Sequence, residues 1–190
     1  MTQRSVAFVS IVIVLLIAAI AVGWYVIHPS RQLQTASQSP IVGKAQLGQA
    51  APEFEVATTA GLFDLGKTRK PVFLEVFATW CPHCQREAAV VDRLYRAYGS
   101  RVDFVGVSGS DTAMDGTSEA SQLDVLNWAQ RFHVSYPVAY DPVLNVANLY
   151  LQGGFPTFAI IDANKKIVYL NSGERPYDEL SAAVEGVLRS

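Results

Sequence analysis

This chain of 190 residues has only two cysteines, and both fall in the stretch FLEVFATWCPHCQRE, residues 73 to 87. Two cysteines separated by two residues serve as a staple, as half of a metal site, or as a redox reagent. A staple closing so short a loop takes little entropy from the unfolded chain, and nothing else here reads as a small disulfide framework. Zinc needs two further ligands, yet there is no second cysteine pair and only His28, His83 and His133 are available. Attached haem needs a histidine directly after the second cysteine, where Gln85 stands. Thiol–disulfide exchange is the chemistry left. It calls for no metal and no cofactor beyond the Cys81–Cys84 disulfide itself.

Placement strengthens that reading. Cys81 follows the apolar run VFLEVFA (72–78) and opens a helical pattern. The free N–H groups and dipole at a helix start favour a thiolate, and cysteines in such motifs titrate at roughly 3.5–7.5 against about 8.5 when free. Pro82 suits the first helical turn, where its missing N–H costs nothing. His83, once protonated, adds positive charge beside Cys81. Cys84 lies one turn along, placed to close a disulfide that expels a bound partner. Glu75 is a carboxylate inside the apolar run. Burial raises its pKa and makes it a proton acceptor for Cys84. The other reading of Glu75 is a core carboxylate paired with a cation, although VDFVGVS (102–108) has no lysine to supply one. Trp80 is read equally as a substrate-contacting surface residue and as core.

The elements that position these residues follow from periodicity. PEFEVATTAGLFDLGKT alternates around Gly61 as an edge hairpin does. Runs 72–78 and 102–108 read as strands buried on both faces. Between them Ala88, Val91, Leu94, Tyr95 and Tyr98 recur at helical spacing up to Gly99. A polar loop, a helix over Leu123–Phe132, a short strand in YPVAYDP and a short helix over Val143–Leu149 come next. PTFAIID and KKIVYLNS flank the turn at Ala163–Lys165, and a helix on Leu180, Ala183, Val184 and Val187 closes the chain. The order implies an α/β sandwich around a mixed central sheet.

ATWCPHC after an apolar strand resembles the thioredoxin superfamily, and the domain as a whole resembles the membrane-tethered TlpA/ResA-like thiol–disulfide oxidoreductases. The resemblance covers the hairpin, the cysteine helix, a strand–helix insertion near 102–135, GGFPTFAIID and the last helix. It implies a thioredoxin-like three-layer sandwich at 49–190. It also implies that Cys81 is the nucleophile and Cys84 the resolving thiol, with a cis-proline loop at Phe155-Pro156-Thr157 that binds an extended substrate segment alongside Trp80 and Pro82. Two departures stand out. Many TlpA-like chains carry Asn where Glu75 stands, though thioredoxin has a buried acid there. The Pro-His dipeptide resembles DsbA, the oxidising member of the superfamily, so the direction of electron flow stays open.

Ahead of the domain, residues 6–27 form an apolar run with Ser10 its only polar interruption. As a helix these 22 residues span roughly 33 Å, against about 30 Å of bilayer hydrocarbon. Trp24 and Tyr25 fall near its end, as interfacial rings do. The expectation is a leader at 1–5, a signal anchor at 6–27 and a flexible linker at 28–48; a cleaved signal peptide is the rival. Cytosolic thiols are kept reduced by soluble systems, so a tethered exchanger belongs on the periplasmic side of a bacterial inner membrane. Its partners there are protein thiols and disulfides, with cytochrome maturation among the candidate tasks, and a membrane-bound or soluble recycling protein. The net charge of −2 and the lack of basic runs speak against nucleic acid. The competing functions are a peroxiredoxin-like thiol peroxidase and a non-catalytic carrier or chaperone. Ala78 and Leu74 stand where a peroxidase usually has Thr and Pro, and a pure binder has no need of two thiols.

Overall fold

The computed structural model describes residues 44–189. The leader, the apolar run at 6–27 and most of the linker lie outside the described residues. Among the described residues no helix is long and apolar enough to cross a membrane. The elements run β1 (Glu55–Thr58), β2 (Gly61–Asp64), β3 (Val72–Phe77), α1 (Pro82–Tyr98), β4 (Asp103–Ser108), α2 (Gln122–Arg131), β5 (Val138–Tyr140), α3 (Asn145–Tyr150), β6 (Thr157–Ile161), β7 (Ile167–Ser172) and α4 (Tyr177–Arg189). The seven strands form one mixed sheet in the order β2-β1-β5-β4-β3-β6-β7. Its centre, β5-β4-β3, is parallel, and both flanks are antiparallel. The hairpin sits at the edge, and Gly61 turns it with a φ of 114° that side-chain-bearing residues avoid.

All six residues of β3 are buried, because helices cover both faces of the central strands. Side chains alternate along a strand, so Phe73, Glu75 and Phe77 share one face and Val72, Leu74 and Val76 the other. The first face packs against α1, α2 and α4 through Ala88, Val91, Leu94, Trp128, Leu180 and Val184. Trp128 stacks on Phe77 with centroids 4.3 Å apart. The second face packs against α3 and the segment before β1, through Val146, Ala147, Tyr150, Ala51 and Phe54. Each fully buried side chain of this size contributes about 1.5–3 kcal/mol, so this packing is what holds the start of α1 above the C-terminal end of β3. Alternation alone puts Glu75 on the face that carries Cys84.

Two boundaries differ from the periodic reading for local reasons. Helix α2 begins at Gln122, with the Ser121 hydroxyl accepting the Asp124 N–H at 3.1 Å as its cap. Helix α3 begins at Asn145 rather than Val143. Leu144 is left-handed (φ 53°), and the Asp141 carboxylate accepts the Val146 N–H at 2.8 Å.

Candidate active site

Cys81 caps α1 in an extended conformation (φ −74°, ψ 119°), and Pro82 occupies the first helical turn. The two thiols are unlike. Cys81 is 5 % exposed and Cys84 0 %, so an incoming sulfur reaches only the first. The Cys81 thiol is pulled from 9.0 down to about 6, chiefly by the hydrogen bond from the Cys84 thiol. Burial opposes this, and the backbone N–H groups of Cys84 and His83 add to it. Cys84 is pushed far up by burial, by its bond to Cys81 and by the charge of Glu75. The site therefore holds one thiolate at its mouth and one firmly protonated thiol beneath.

His83 contributes the smallest of the named effects on Cys81. Its ring is turned outward, where Nδ1 meets Glu174 and lies 2.9 Å from the Arg86 guanidinium. Arg86, and then His83, hold the Glu174 carboxyl down at about 2. The His83 ring thus has a smaller part in forming the thiolate than its place beside Cys81 implies.

The Phe155–Pro156 peptide bond is cis. The Cys81 Sγ lies 3.7 Å from the Phe155 carbonyl, a bond that it donates only while protonated, so thiol and loop meet. Trp80, 38 % exposed, packs edge-on against the Phe155 ring at 6.1 Å and donates its indole N–H to Ser110 at 2.8 Å. It belongs to the rim of the site and not to the core. An open groove runs beside the loop, between His83, Gly153–Phe155 and Ser172–Glu174. Pro82 is exposed on the same rim. Thr157 corrects its expected role. Its side chain is fully buried, donating to the Gly154 carbonyl at 2.8 Å and accepting the Gln152 N–H at 3.1 Å. It braces the loop from behind and offers a substrate no hydroxyl.

Glu75 is fully buried, and burial raises it from 4.5 to about 8. Its partner is not a cation. Tyr136 donates its hydroxyl to Oε2 at 2.7 Å, which offsets part of the rise, while the charges of Glu87 and Cys81 add to it. Glu87 is the functional candidate that reading the sequence missed. It is 3 % exposed and raised to about 7 by burial, although the Arg175 backbone N–H bonds its Oε1 at 3.3 Å. Its signal was its spacing: three residues past Cys84, it falls on the buried face of α1. Among the described residues, no cluster of three or more His, Cys, Asp or Glu is placed to hold a metal ion.

The Redoxin family model matches residues 46–187. The thiol-disulfide oxidoreductase ResA of Bacillus cereus is 29 % identical over 149 residues, covering 76 % of this chain and 80 % of that one. Its counterpart in Bacillus anthracis is 30 % identical over 151 residues, covering 77 % and 79 %. A Chlorobium tepidum structure described as a thiol:disulfide interchange protein DsbE superposes with a TM-score of 0.65 at 24 % identity, over 75 % of this chain and 98 % of that one.

Proposed function

We propose, for a chain that belongs to the Redoxin family and is a thioredoxin-fold thiol–disulfide oxidoreductase of the ResA kind, that it reduces disulfides of extracytoplasmic proteins from a membrane tether. The observation that carries the direction is the source of the Cys81 thiolate. Cys84 and the helix amides supply most of it and His83 least, which leaves the thiol at about 6. Thioredoxin pairs a thiol near 7 with about −270 mV, and DsbA pairs one near 3.5 with about −120 mV. A thiol at about 6 thus lies nearer the reducing end of that range.

Cys81 thiolate attacks a substrate disulfide, displacing one substrate sulfur as a thiolate and leaving the other bound to Cys81. Glu75 takes the proton of Cys84. The Cys84 sulfur then attacks Cys81 Sγ, the bond to substrate breaks, and the second substrate sulfur leaves as a thiolate with the electron pair. The products are the Cys81–Cys84 disulfide and a reduced substrate. An external reductant restores the pair, and the chemistry suits substrates such as the cysteines of an apocytochrome.

Equilibrating the full-length protein with glutathione, then alkylating, measures the potential. The expected pH dependence bends near 6. Below the bend two protons accompany two electrons, about 59 mV per pH unit; above it one proton does, about 30 mV. A potential near DsbA's, with the bend below pH 4, reverses the direction and makes the protein a disulfide donor.

The tether is the apolar run at 6–27, supported by its length and by Trp24 and Tyr25 near its end. Membranes washed in alkaline carbonate are expected to keep the full-length chain and to release a chain beginning at residue 44. Release of the full-length chain sinks the tether.

A further inference from the structure

We propose that Tyr136 is the positioning residue for the internal base: its hydroxyl, reaching Glu75 through the space left by Gly106, holds the carboxyl in place and sets the pH at which Cys84 gives up its proton. This rests on the reading of Glu75 as the proton acceptor for Cys84.

The geometry is specific. Glu75 on β3 is paired in register with Gly106 on β4 and with Phe158 on β6. Paired residues point to the same face, so the carboxyl lies between an apolar ring and a position with no side chain. The Tyr136 ring fills that position. A Cβ built on Gly106 meets Tyr136 Cε2 at 2.9 Å and Phe77 Cε1 at 3.4 Å. The glycine is therefore what lets the phenol cross β4 to reach Glu75, 61 residues away in sequence. Both residues are fully buried or nearly so, and Tyr95 closes the outer side edge-on at 6.4 Å.

The bond divides the labour of the carboxyl oxygens. Oε2 accepts from Tyr136, while Oε1 is buried and takes part in no hydrogen bond among the described residues. A proton arriving from Cys84 is accommodated on Oε1, because Oε2 already faces a donor. The other ionisable groups acting on Glu75 are Glu87 on α1 and Cys81 at the cap of that helix, and its charge acts in turn on Cys84. Burial first, and then Glu75, Cys84 and Asp92, raise the Tyr136 phenol well above its ordinary value and keep it protonated, so it is always a donor. Neither β4 nor β6 brings a charge to Glu75 at its paired position, since those residues are Gly106 and Phe158.

The test is a single-turnover reaction of the reduced full-length protein with dithiobis(nitrobenzoate). The first coloured thionitrobenzoate leaves when Cys81 attacks. The second leaves when Cys84, its proton taken by Glu75, attacks Cys81 and closes the disulfide. Its rate against pH therefore reports the base. In Tyr136→Phe the ring stays and only the hydroxyl goes. The midpoint of the second release is expected to rise by about one pH unit, and the rate near pH 7 to fall about tenfold, the size of one hydrogen bond to a charged group. Gly106→Ala, which displaces the ring, is expected to move the midpoint the same way. Glu75→Gln is expected to flatten the profile.

Should Glu75→Gln flatten the profile while both other variants keep the parent midpoint, Glu75 stands as the base and Tyr136 is ordinary core; the inference is overturned. Should Glu75→Gln keep the parent profile, the base reading fails and takes the inference with it. If Tyr136→Phe does not fold, 3-fluorotyrosine placed at position 136, a stronger donor, must shift the midpoint downward; an unmoved midpoint overturns the proposal.

Discussion

Replacing Cys84 with alanine is expected to stop the enzyme at the mixed disulfide. Cys81 keeps its helix amides and attacks a substrate disulfide, but no internal thiol remains to displace it. An oriented intramolecular nucleophile acts at effective concentrations that reach about 10⁵ M, so an added thiol at about 1 mM is a poor substitute. Turnover should fall by at least about 10³-fold. Cys81-linked adducts should be visible on non-reducing gels and identifiable by mass spectrometry. The converse variant, Cys81→Ala, should trap nothing, because Cys84 has no exposed surface. A second readout follows from the electrostatics. The Cys84 thiol is the largest single influence holding Cys81 at about 6. Its loss should move the pH midpoint of Cys81 alkylation upward, whereas His83→Ala should move it least. Undiminished turnover in Cys84→Ala, or adducts on Cys84 in Cys81→Ala, would overturn the assignment of nucleophile and resolver.

The elements behind that assignment are legible in the sequence because their signals are local. A continuous apolar strand, two cysteines and a proline at the first helical position fix a strand-to-helix junction within one stretch of residues. The periodic stripe of α1 needed no tertiary information either. What stayed hidden depends on contacts between distant residues. His83 looked like the thiolate's companion, yet Glu174, 91 residues on, turns its ring outward. Glu87 adds nothing to the apolar stripe of α1, while its spacing from Cys84 marks it as inward-facing. Tyr136 has no pattern at all; its meaning depends on the missing side chain of Gly106, on the strand that pairs with its partner Glu75. The resemblance places Thr157 with the substrate, beside Pro156, but its hydroxyl is buried and bonded to Gly154 and Gln152. In each case the residue type was legible and its direction was not.

Glu75→Gln should stabilise the protein increasingly as the pH rises, at the same time as it removes the base. Unfolded, Glu75 ionises at its ordinary 4.5; folded, burial holds its proton to about pH 8. Between those values the folded state binds a proton that the unfolded state has released, so the parent loses about 1.4 kcal/mol of stability per pH unit through this one group. The loss is absent below about pH 4.5 and complete above about pH 8, where it reaches about 4–5 kcal/mol. Glutamine has no such titration, and its carbonyl still accepts from Tyr136. The difference in unfolding free energy between variant and parent should therefore grow from pH 5 to pH 8. Denaturant titrations on the oxidised proteins measure it without interference from the Cys81 thiol, whose own depressed pKa has the opposite slope. Glu87, raised to about 7, contributes the same sign in both proteins and cancels in the difference except for its coupling to Glu75. Parallel pH profiles would mean that Glu75 titrates as an ordinary carboxyl and has no proton capacity to lend Cys84 near neutrality. A growing gap would mean that this chain keeps a carboxyl in its core at a continuous cost in stability. The single-turnover rates of the same variant then show what that cost maintains, because the burial that destabilises the fold also tunes the acid to take a proton from a buried thiol.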